Sequence, residues 1–120
     1  MRISMIGPFG FTPKKTMRAR ALRLARELVR RGHDVALFMP PWHTPDQANQ
    51  TWHEDGVMIR YIALNGNDGN SNASGAIGTT ARLVREALAW QPDVAHCFKP
   101  KAYSGAAASW LWLSKRRHVR

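Results

Sequence analysis

Basic side chains are concentrated in the segment that follows the first apolar run of the chain. A predicted turn and the first winding of a predicted helix carry four cations, namely Lys14, Lys15, Arg18 and Arg20, and the first acidic residue is Glu27. Cations are unfavourable at a helix start because the exposed backbone N–H groups already give that end a partial positive charge. The arrangement is tolerable where a phosphate or a carboxylate is bound. The alternative is that Lys14 and Lys15 are solvated in an ordinary turn.

Two further lysines, Lys99 and Lys101, follow the fourth predicted strand in the segment "FKPKAYS" at residues 98–104. In an open parallel sheet the strand order commonly reverses between the first and the fourth strand, and ligands bind in the crevice outside their carboxyl ends. We therefore predict that this loop and the loop at residues 7–16 meet at one crevice. Their cations and the N–H groups of the first helix would then surround an anion.

Arg18 is the cation that the helical pattern ties most closely to this crevice. A helical wheel places it within about 60° of Ala21, the centre of the apolar face. We therefore predict that its side chain lies against the top edge of the sheet rather than in open solvent. Gly7 and Gly10, in the preceding loop, permit a close approach of the backbone to a ligand.

Short apolar segments alternate with amphipathic segments along the chain. Strands are predicted at residues 3–6, 34–39, 56–64 and 94–98, and helices from residue 16 to the cap at 32 and at 77–88 and 102–115. This alternation is typical of a parallel sheet covered by helices on both faces. We therefore predict an α/β fold, a Rossmann-like three-layer sandwich with a mostly parallel sheet. Because "HVR" at 118–120 has the place of a further strand, the sheet is expected to be truncated before its last strands.

The first predicted helix is amphipathic. Its arginines at positions 23, 26 and 30 lie opposite an apolar face made by Met17, Ala21, Leu24, Ala25 and Leu28. Gly32 has the position of a left-handed helix cap. Residues 40–56 are predicted to form a polar loop, and residues 65–75 have the composition of a turn.

The composition is that of one globular domain with a strong positive charge. The chain has 120 residues, of which 44% are hydrophobic and 22% charged, and its formal net charge is +10. That charge favours an anionic partner such as a phosphate, a nucleic acid or an acidic membrane surface. No secretory pattern follows Met1, and the longest apolar run, at 106–113, is shorter than the ~18 residues of a spanning helix. The expected location is the cytoplasm, with contact to the inner face of the membrane left open.

Several sharper motifs do not occur. The turn after the first strand reads "GPFGF" rather than the dinucleotide fingerprint G-x-G-x-x-G. In "GFTPKKT", Pro13 stands where a phosphate-binding P-loop needs a glycine before its lysine. The histidines and Cys97 show no metal-ligand spacing, so no metal site is predicted.

Three segments carry a resemblance to a known family. They are "MRISMIGPFGFTPKKTMRARALRLARELVRRGHDVALFMPPW", "EDGVMIRYI" and "PDVAHCFKPKAYSGAAA", and they span nearly the whole chain. The sequence resembles the N-terminal domain of retaining glycosyltransferases with the GT-B fold, specifically those of family 4. The resemblance implies that residues 1–120 are part of the N-terminal Rossmann-like domain, which binds the acceptor, and that the C-terminal donor-binding domain is absent.

The activity implied by the resemblance is transfer of a sugar from a nucleotide-diphosphate sugar with retention of the anomeric configuration. The nucleotide sugar is a substrate, and neither a cofactor nor a metal is required. Most contacts to the leaving group are expected from the missing domain, so the 120-residue chain is expected to be inactive by itself.

Site residues also follow from the resemblance. The loop near the phosphates and the transferred sugar of the donor consists of Gly7, Pro8, Phe9, Gly10 and Phe11. The family's His-x-His motif begins at His96, and Phe98 stands in place of the second His, which in many members contacts the donor sugar. The residues predicted to bind an anion or the acceptor are Thr16, Arg18, His96, Phe98, Lys99 and Lys101. Three of these are candidates for stabilising the leaving diphosphate, namely Arg18, Lys99 and Lys101. No catalytic residue is assigned.

The expected partners are a sugar acceptor, either anionic or lipid-linked, and the missing donor-binding domain or a subunit that carries it. An alternative is a stand-alone or split-subunit α/β module that binds an anionic ligand or a partner domain. A third hypothesis is charge-driven binding to an anionic membrane or to nucleic acid. No aromatic platform is interleaved with the basic residues, which argues against nucleic acid.

Overall fold

The computed structural model describes residues 1–7, 10–11, 15–42, 44–64 and 73–98. The strands are β1 (Arg2–Ile6), β2 (Asp34–Met39), β3 (Thr51–Glu54), β4 (Val57–Tyr61) and β5 (Val94–Cys97). The helices are α1 (Arg23–Arg30), which is preceded by a π-helical turn at Arg18–Leu22, and α2 (Ala73–Ala89), and a short 3₁₀ turn spans Pro45–Gln47. The third predicted helix and the strand expected at 118–120 lie outside these residues.

The strands form one sheet in the order β3-β4-β2-β1-β5. β1 pairs in parallel with both β2 and β5, β2 pairs in parallel with β4, and β3 is antiparallel to β4. The predicted α/β fold with a mostly parallel sheet is therefore confirmed. The reversal of strand order is confirmed as well, because β1 lies between β2 and β5.

Alternating side chains of the sheet supply two separate cores. On one face, α1 packs on a cluster that includes Met5, Leu37 and Ile59. On the other face, α2 contributes Leu83 to a cluster that includes Phe38 of β2. Successive strand residues point to opposite faces, so a continuous apolar run such as that of β2 fills both cores. The result is the predicted three-layer arrangement of helix, sheet and helix.

The prediction of a loop over the whole of 40–56 is wrong for residues 51–54. These residues form β3, which joins β4 through a turn at Asp55 and Gly56, with φ angles of 50° and 82°. Positive φ at both central positions is the geometry of the tight hairpin turn for which Asp-Gly is preferred. β3 is therefore an edge strand of the sheet.

The predicted apolar face of the first helix is correct except at one position. Leu24 is 40% exposed, whereas Leu22 is fully buried. The π-helical turn at Arg18–Leu22 has more residues per turn than an α-helix, so each following side chain lags behind its expected direction. The helix ends at Arg30, and Gly32 has the left-handed conformation predicted for it, with a φ of 92°.

The helix α2 begins at Ala73, inside the segment predicted as a turn and before the predicted start at residue 77. Its residues Val84 and Ala87 are buried against the sheet. The turn-rich residues 65–72 lie outside the part of the chain that the structure describes.

Candidate functional site

The carboxyl ends of β1 and β5 lie side by side. The two strands pair from Ile3 with Val94 to Ile6 with Cys97, and the N–H of Phe98 donates to the carbonyl of Ile6 at 2.9 Å. Gly7 and Phe98 therefore leave the sheet side by side, at the carboxyl ends of their strands. The strand order reverses at this point, which in open α/β sheets is where ligands bind.

The loop after β1 approaches the ends of its neighbouring strands very closely. A Cβ atom added at Gly10 would lie 2.8 Å from the Tyr61 hydroxyl oxygen and 3.0 Å from the ring carbon that bears it. At Gly7 an added Cβ would overlap the end of the Met17 side chain and lie 3.1 Å from Met39 Cγ. A larger residue is tolerated less well at position 10 than at position 7. Tyr61 is only 2% exposed and its ring cannot move away, whereas the flexible end of the Met17 side chain can.

Phe11 is held by aromatic side chains of β3 and β4. Its N–H donates to the Tyr61 hydroxyl at 2.8 Å, and the residue is 4% exposed. The Phe11 ring centroid lies 6.3 Å from those of both Trp52 and Tyr61, and the latter two rings meet edge to face at 4.9 Å. Burial of the Tyr61 hydroxyl raises the pKa of this group. The segment Gly10–Phe11 is thus fixed on the side of the sheet formed by β3 and β4.

Arg18 is also directed to this side. It donates to both carboxylate oxygens of Glu54, at 2.9 and 3.3 Å, and its guanidinium carbon lies 4.5 Å from the centre of the Phe11 ring. The hydrogen bond from Arg18 lowers the pKa of the Glu54 carboxyl, and that from Trp52 at 3.3 Å acts in the same direction. Arg18 therefore lies over the edge strand β3, and 45% of its side chain remains exposed.

The predicted site residues are thus only partly brought together. Arg18 pairs with β3, whereas Phe98 follows β5 at the opposite edge of the sheet. His96 is exposed, and the centroid of its ring lies 4.5 Å from that of Phe98. Thr16 is half-buried at the start of the helix. The binding roles of these four residues stay predictions. The other predicted site residues fall outside the described ranges, namely Pro8, Phe9, Lys99 and Lys101.

A groove of ≈ 790 Å³ along α1 was not anticipated from the sequence as a site. Phe98 lines it together with residues of the helix, among them Ala19, Arg20, Arg23 and the exposed Leu24. The helical wheel does not predict this groove, because it places Leu24 in the core. The signal that could have found it is the cation cluster itself, of which Arg20 is a member.

Some arginines of the groove form ion pairs with carboxylates, and others do not. Arg20 and Arg23 are exposed and have no ion pair within the described ranges. The other two are paired, Arg26 with Asp55 at 2.5 Å and Arg30 with Glu27 at 3.3 Å. The uncompensated positive charge therefore lies at the end of the groove where α1 begins, on cations that share the groove with Phe98.

Within the described ranges, no three side chains of His, Cys, Asp or Glu come together as metal ligands. Neither of the helices there combines the length and the apolar character that crossing a bilayer requires.

The strand order and the two helical layers define a Rossmann-like α/β domain. The family of glycosyl transferase 4-like domains matches residues 15–120, and the chain belongs to this family. The match begins after Gly7–Phe11, so the role of that loop depends on its geometry and on the resemblance described above. A search of curated proteins found no significant match.

Proposed function

We propose that the chain is the acceptor-binding half of a retaining glycosyltransferase that uses a nucleotide-diphosphate sugar. The observation that carries the proposal is the adjacency of the ends of β1 and β5 in a chain of this family. Two loops that leave neighbouring parallel strands can enclose one ligand between them. A second domain that binds most of the donor would complete the cleft.

The charges near this edge fit the chemistry of the transfer. Negative charge develops on the diphosphate as the bond to the sugar breaks, and cations placed in advance stabilise it. Among the described residues, Arg20 suits this role better than Arg18, because Glu54 neutralises Arg18 while Arg20 has no carboxylate partner. Lys99 and Lys101 remain candidates from the sequence.

The proposed partners follow from the same arrangement. An anionic or lipid-linked acceptor would be attracted by the uncompensated arginines, and a peripheral contact with an anionic membrane would deliver a lipid-linked one. No cofactor or metal is proposed. The donor-binding half, on the same polypeptide or on a separate subunit, supplies the remaining contacts to the diphosphate, so the chain alone binds ligands without transferring sugar.

The test compares the 120-residue chain with the longest product of its source gene, each with and without a candidate donor-binding subunit. Each sample is incubated with a set of nucleotide-diphosphate sugars and sugar acceptors, and the products are followed by mass spectrometry. Proton NMR of the product then gives the anomeric configuration. We expect transfer with retention only when both halves are present.

Two results would contradict the proposal. Transfer with inversion would remove the retaining mechanism. Ligand binding without transfer in every combination would favour the alternative of an anion-binding module.

A further inference from the structure

Three side chains from distant parts of the chain contact the segment Gly10–Phe11, and a fourth binds two of these three. We call them the Phe11 clamp, and they are Arg18, Trp52, Glu54 and Tyr61. Tyr61 accepts the hydrogen bond of the Phe11 N–H, the rings of Trp52 and Tyr61 pack against the Phe11 ring, and the Arg18 guanidinium lies over it. A backbone N–H and an aromatic ring of one loop residue are thus both held by side chains of other elements.

The base of the clamp is rigid. Tyr61 is the last residue of β4, and its own N–H donates to the carbonyl of Gln50 at 2.9 Å. The next residue, Ile62, donates to the carbonyl of Met39 at 3.1 Å. Because backbone hydrogen bonds on both sides fix the end of β4, the Tyr61 ring provides a fixed surface, and Gly10 rests directly on it.

The edge strand β3 connects this base to the first helix. Glu54 accepts hydrogen bonds from Arg18 and from the indole N–H of Trp52, so one carboxylate orients both groups that contact the Phe11 ring. Charged bidentate pairs fix geometry more narrowly than single contacts do. The hairpin of β3 and β4 therefore supports the loop after β1 in addition to completing the sheet.

We propose that the Phe11 clamp positions the loop after β1 for sugar transfer, with Tyr61 as its main anchor. The proposal rests on the proposed function and on the resemblance, which implies that this loop lies near the donor. Displacement of a reacting group by about 1 Å can cost on the order of a hundredfold in rate. Three of the clamp residues, Trp52, Glu54 and Tyr61, act through Phe11 or through Arg18, so they are positioning residues.

The first test is the exchange rate of the Phe11 amide proton, measured by NMR on the 120-residue chain. Tyr61→Phe removes the accepting hydroxyl and keeps the ring, so we expect exchange to accelerate on the order of tenfold. Val84→Ala is the control, because it opens a small cavity in the core under α2, on the other face of the sheet. In that variant, the exchange rate of the Phe11 amide proton relative to the amide protons around it should stay as in the wild type.

The second test is transfer by the complete enzyme. We expect Tyr61→Phe and Glu54→Gln to lower kcat about tenfold while the acceptor KM changes less than about twofold. Glu86→Gln is the matched control for Glu54→Gln, because both carboxylates bind an arginine and both side chains are 27% exposed. Glu86 binds Arg60, outside the clamp, so its variant should retain the wild-type kcat.

The outcomes separate the anchor from the function. If the Phe11 amide proton exchanges at the same rate in Tyr61→Phe as in the wild type, Tyr61 is not the anchor and the clamp proposal is overturned, independently of the kcat of the enzyme. Faster exchange with unchanged kcat overturns the positioning role while the anchor stands. A wild-type enzyme that transfers no sugar overturns the proposed function and the positioning role with it, and the exchange rate still decides the anchor. Faster exchange together with a lower kcat and an unchanged KM supports the whole proposal.

Discussion

The two edges of the sheet differ in how their polar groups are used. On the side of β3 and β4, Arg18 and Glu54 neutralise each other, and the Tyr61 hydroxyl accepts the Phe11 N–H. On the side of β5, His96 is exposed. Arg20, which lines the groove with Phe98, has no ion pair within the described part of the chain.

This difference separates positioning from binding. Groups that already bind one another have little left to offer a ligand, because the ligand would have to replace an existing contact. Cations without a counter-charge gain a partner when an anion binds. Under the proposed function, the β3 side supports the loop after β1, and the β5 side is where an anionic ligand would gain most.

The largest expected effect is that of Gly10→Ala. The added Cβ would lie 2.8 Å from the Tyr61 hydroxyl, which requires the loop or the buried ring to move. We expect a loss of about 1–3 kcal/mol of stability, measured by urea unfolding. Without that contact, a Gly→Ala change at a compatible position would stabilise by about 0.4–1 kcal/mol.

A double mutant sharpens this prediction. Removing the hydroxyl in Tyr61→Phe opens space on the ring, so the cost of Gly10→Ala should fall by about 1 kcal/mol in that background. Additive effects of the two substitutions would show that Gly10 and Tyr61 are not in the contact described.

The next effect distinguishes Arg20 from Arg18 as an anion ligand. We expect Arg20→Ala to weaken the binding of inorganic pyrophosphate about tenfold, or about 1.4 kcal/mol, in calorimetric titrations. Arg18→Ala should weaken it less than about threefold, because its charge is already compensated by Glu54. Arg31→Ala is the control, since Arg31 binds Glu27 at the far end of α1. Equal losses in all three variants would show attraction by net charge alone.

The strands that could be predicted from sequence are those whose residues fill a core. β1, β2, β4 and β5 are predominantly apolar, and burial leaves that pattern in the sequence. β3 was missed because an edge strand exposes alternate residues, such as Thr51 and His53, and reads as polar. The Asp55–Gly56 pair was the signal that could have found it.

The candidate site was less predictable than the fold. A helical wheel assumes a constant turn, so the π-helical segment displaced Leu24 from its predicted place. The partner of Arg18 lies 36 residues away, in the strand that was missed, so its ion pair could not be anticipated. Which cation stays uncompensated depends on where the few acidic residues fall in space, and spacing along the chain does not give that.

A smaller effect concerns the pH dependence of the clamp. The pKa of Glu54 is lowered by its hydrogen bond with Arg18, with further contributions from Trp52 and the nearby charge of Arg26. Its stabilisation is therefore fully present above the ordinary value of 4.5 and is lost as the pH falls through the lowered pKa. Because the Arg18 side chain is 45% exposed, we expect its pair with Glu54 to contribute less than about 1 kcal/mol to stability.

The measurement is the stability difference between wild type and Glu54→Gln between pH 7 and pH 3. That difference should shrink toward the acid end, because a protonated Glu54 resembles glutamine. A difference that stays constant through this range would contradict the assigned pKa shift.

The smallest effect is expected for Asp55→Asn, in the hairpin turn where Asp55 pairs with Arg26. Their side chains are 63% and 42% exposed, so solvent screens the pair. Asn also tolerates the positive φ of 50° found at position 55. Asp55→Asn should therefore change stability by less than about 0.5 kcal/mol in urea unfolding.

Gly56→Ala provides the contrast at the neighbouring position. Gly56 has a φ of 82°, and an added Cβ would lie 2.9 Å from Val29 Cγ1. We expect this change to cost about 1–2 kcal/mol, since strain and crowding both oppose it. If Asp55→Asn were the more costly of the two, the ion pair rather than the turn geometry would hold β3 in the sheet, and the clamp would depend on Arg26 as well.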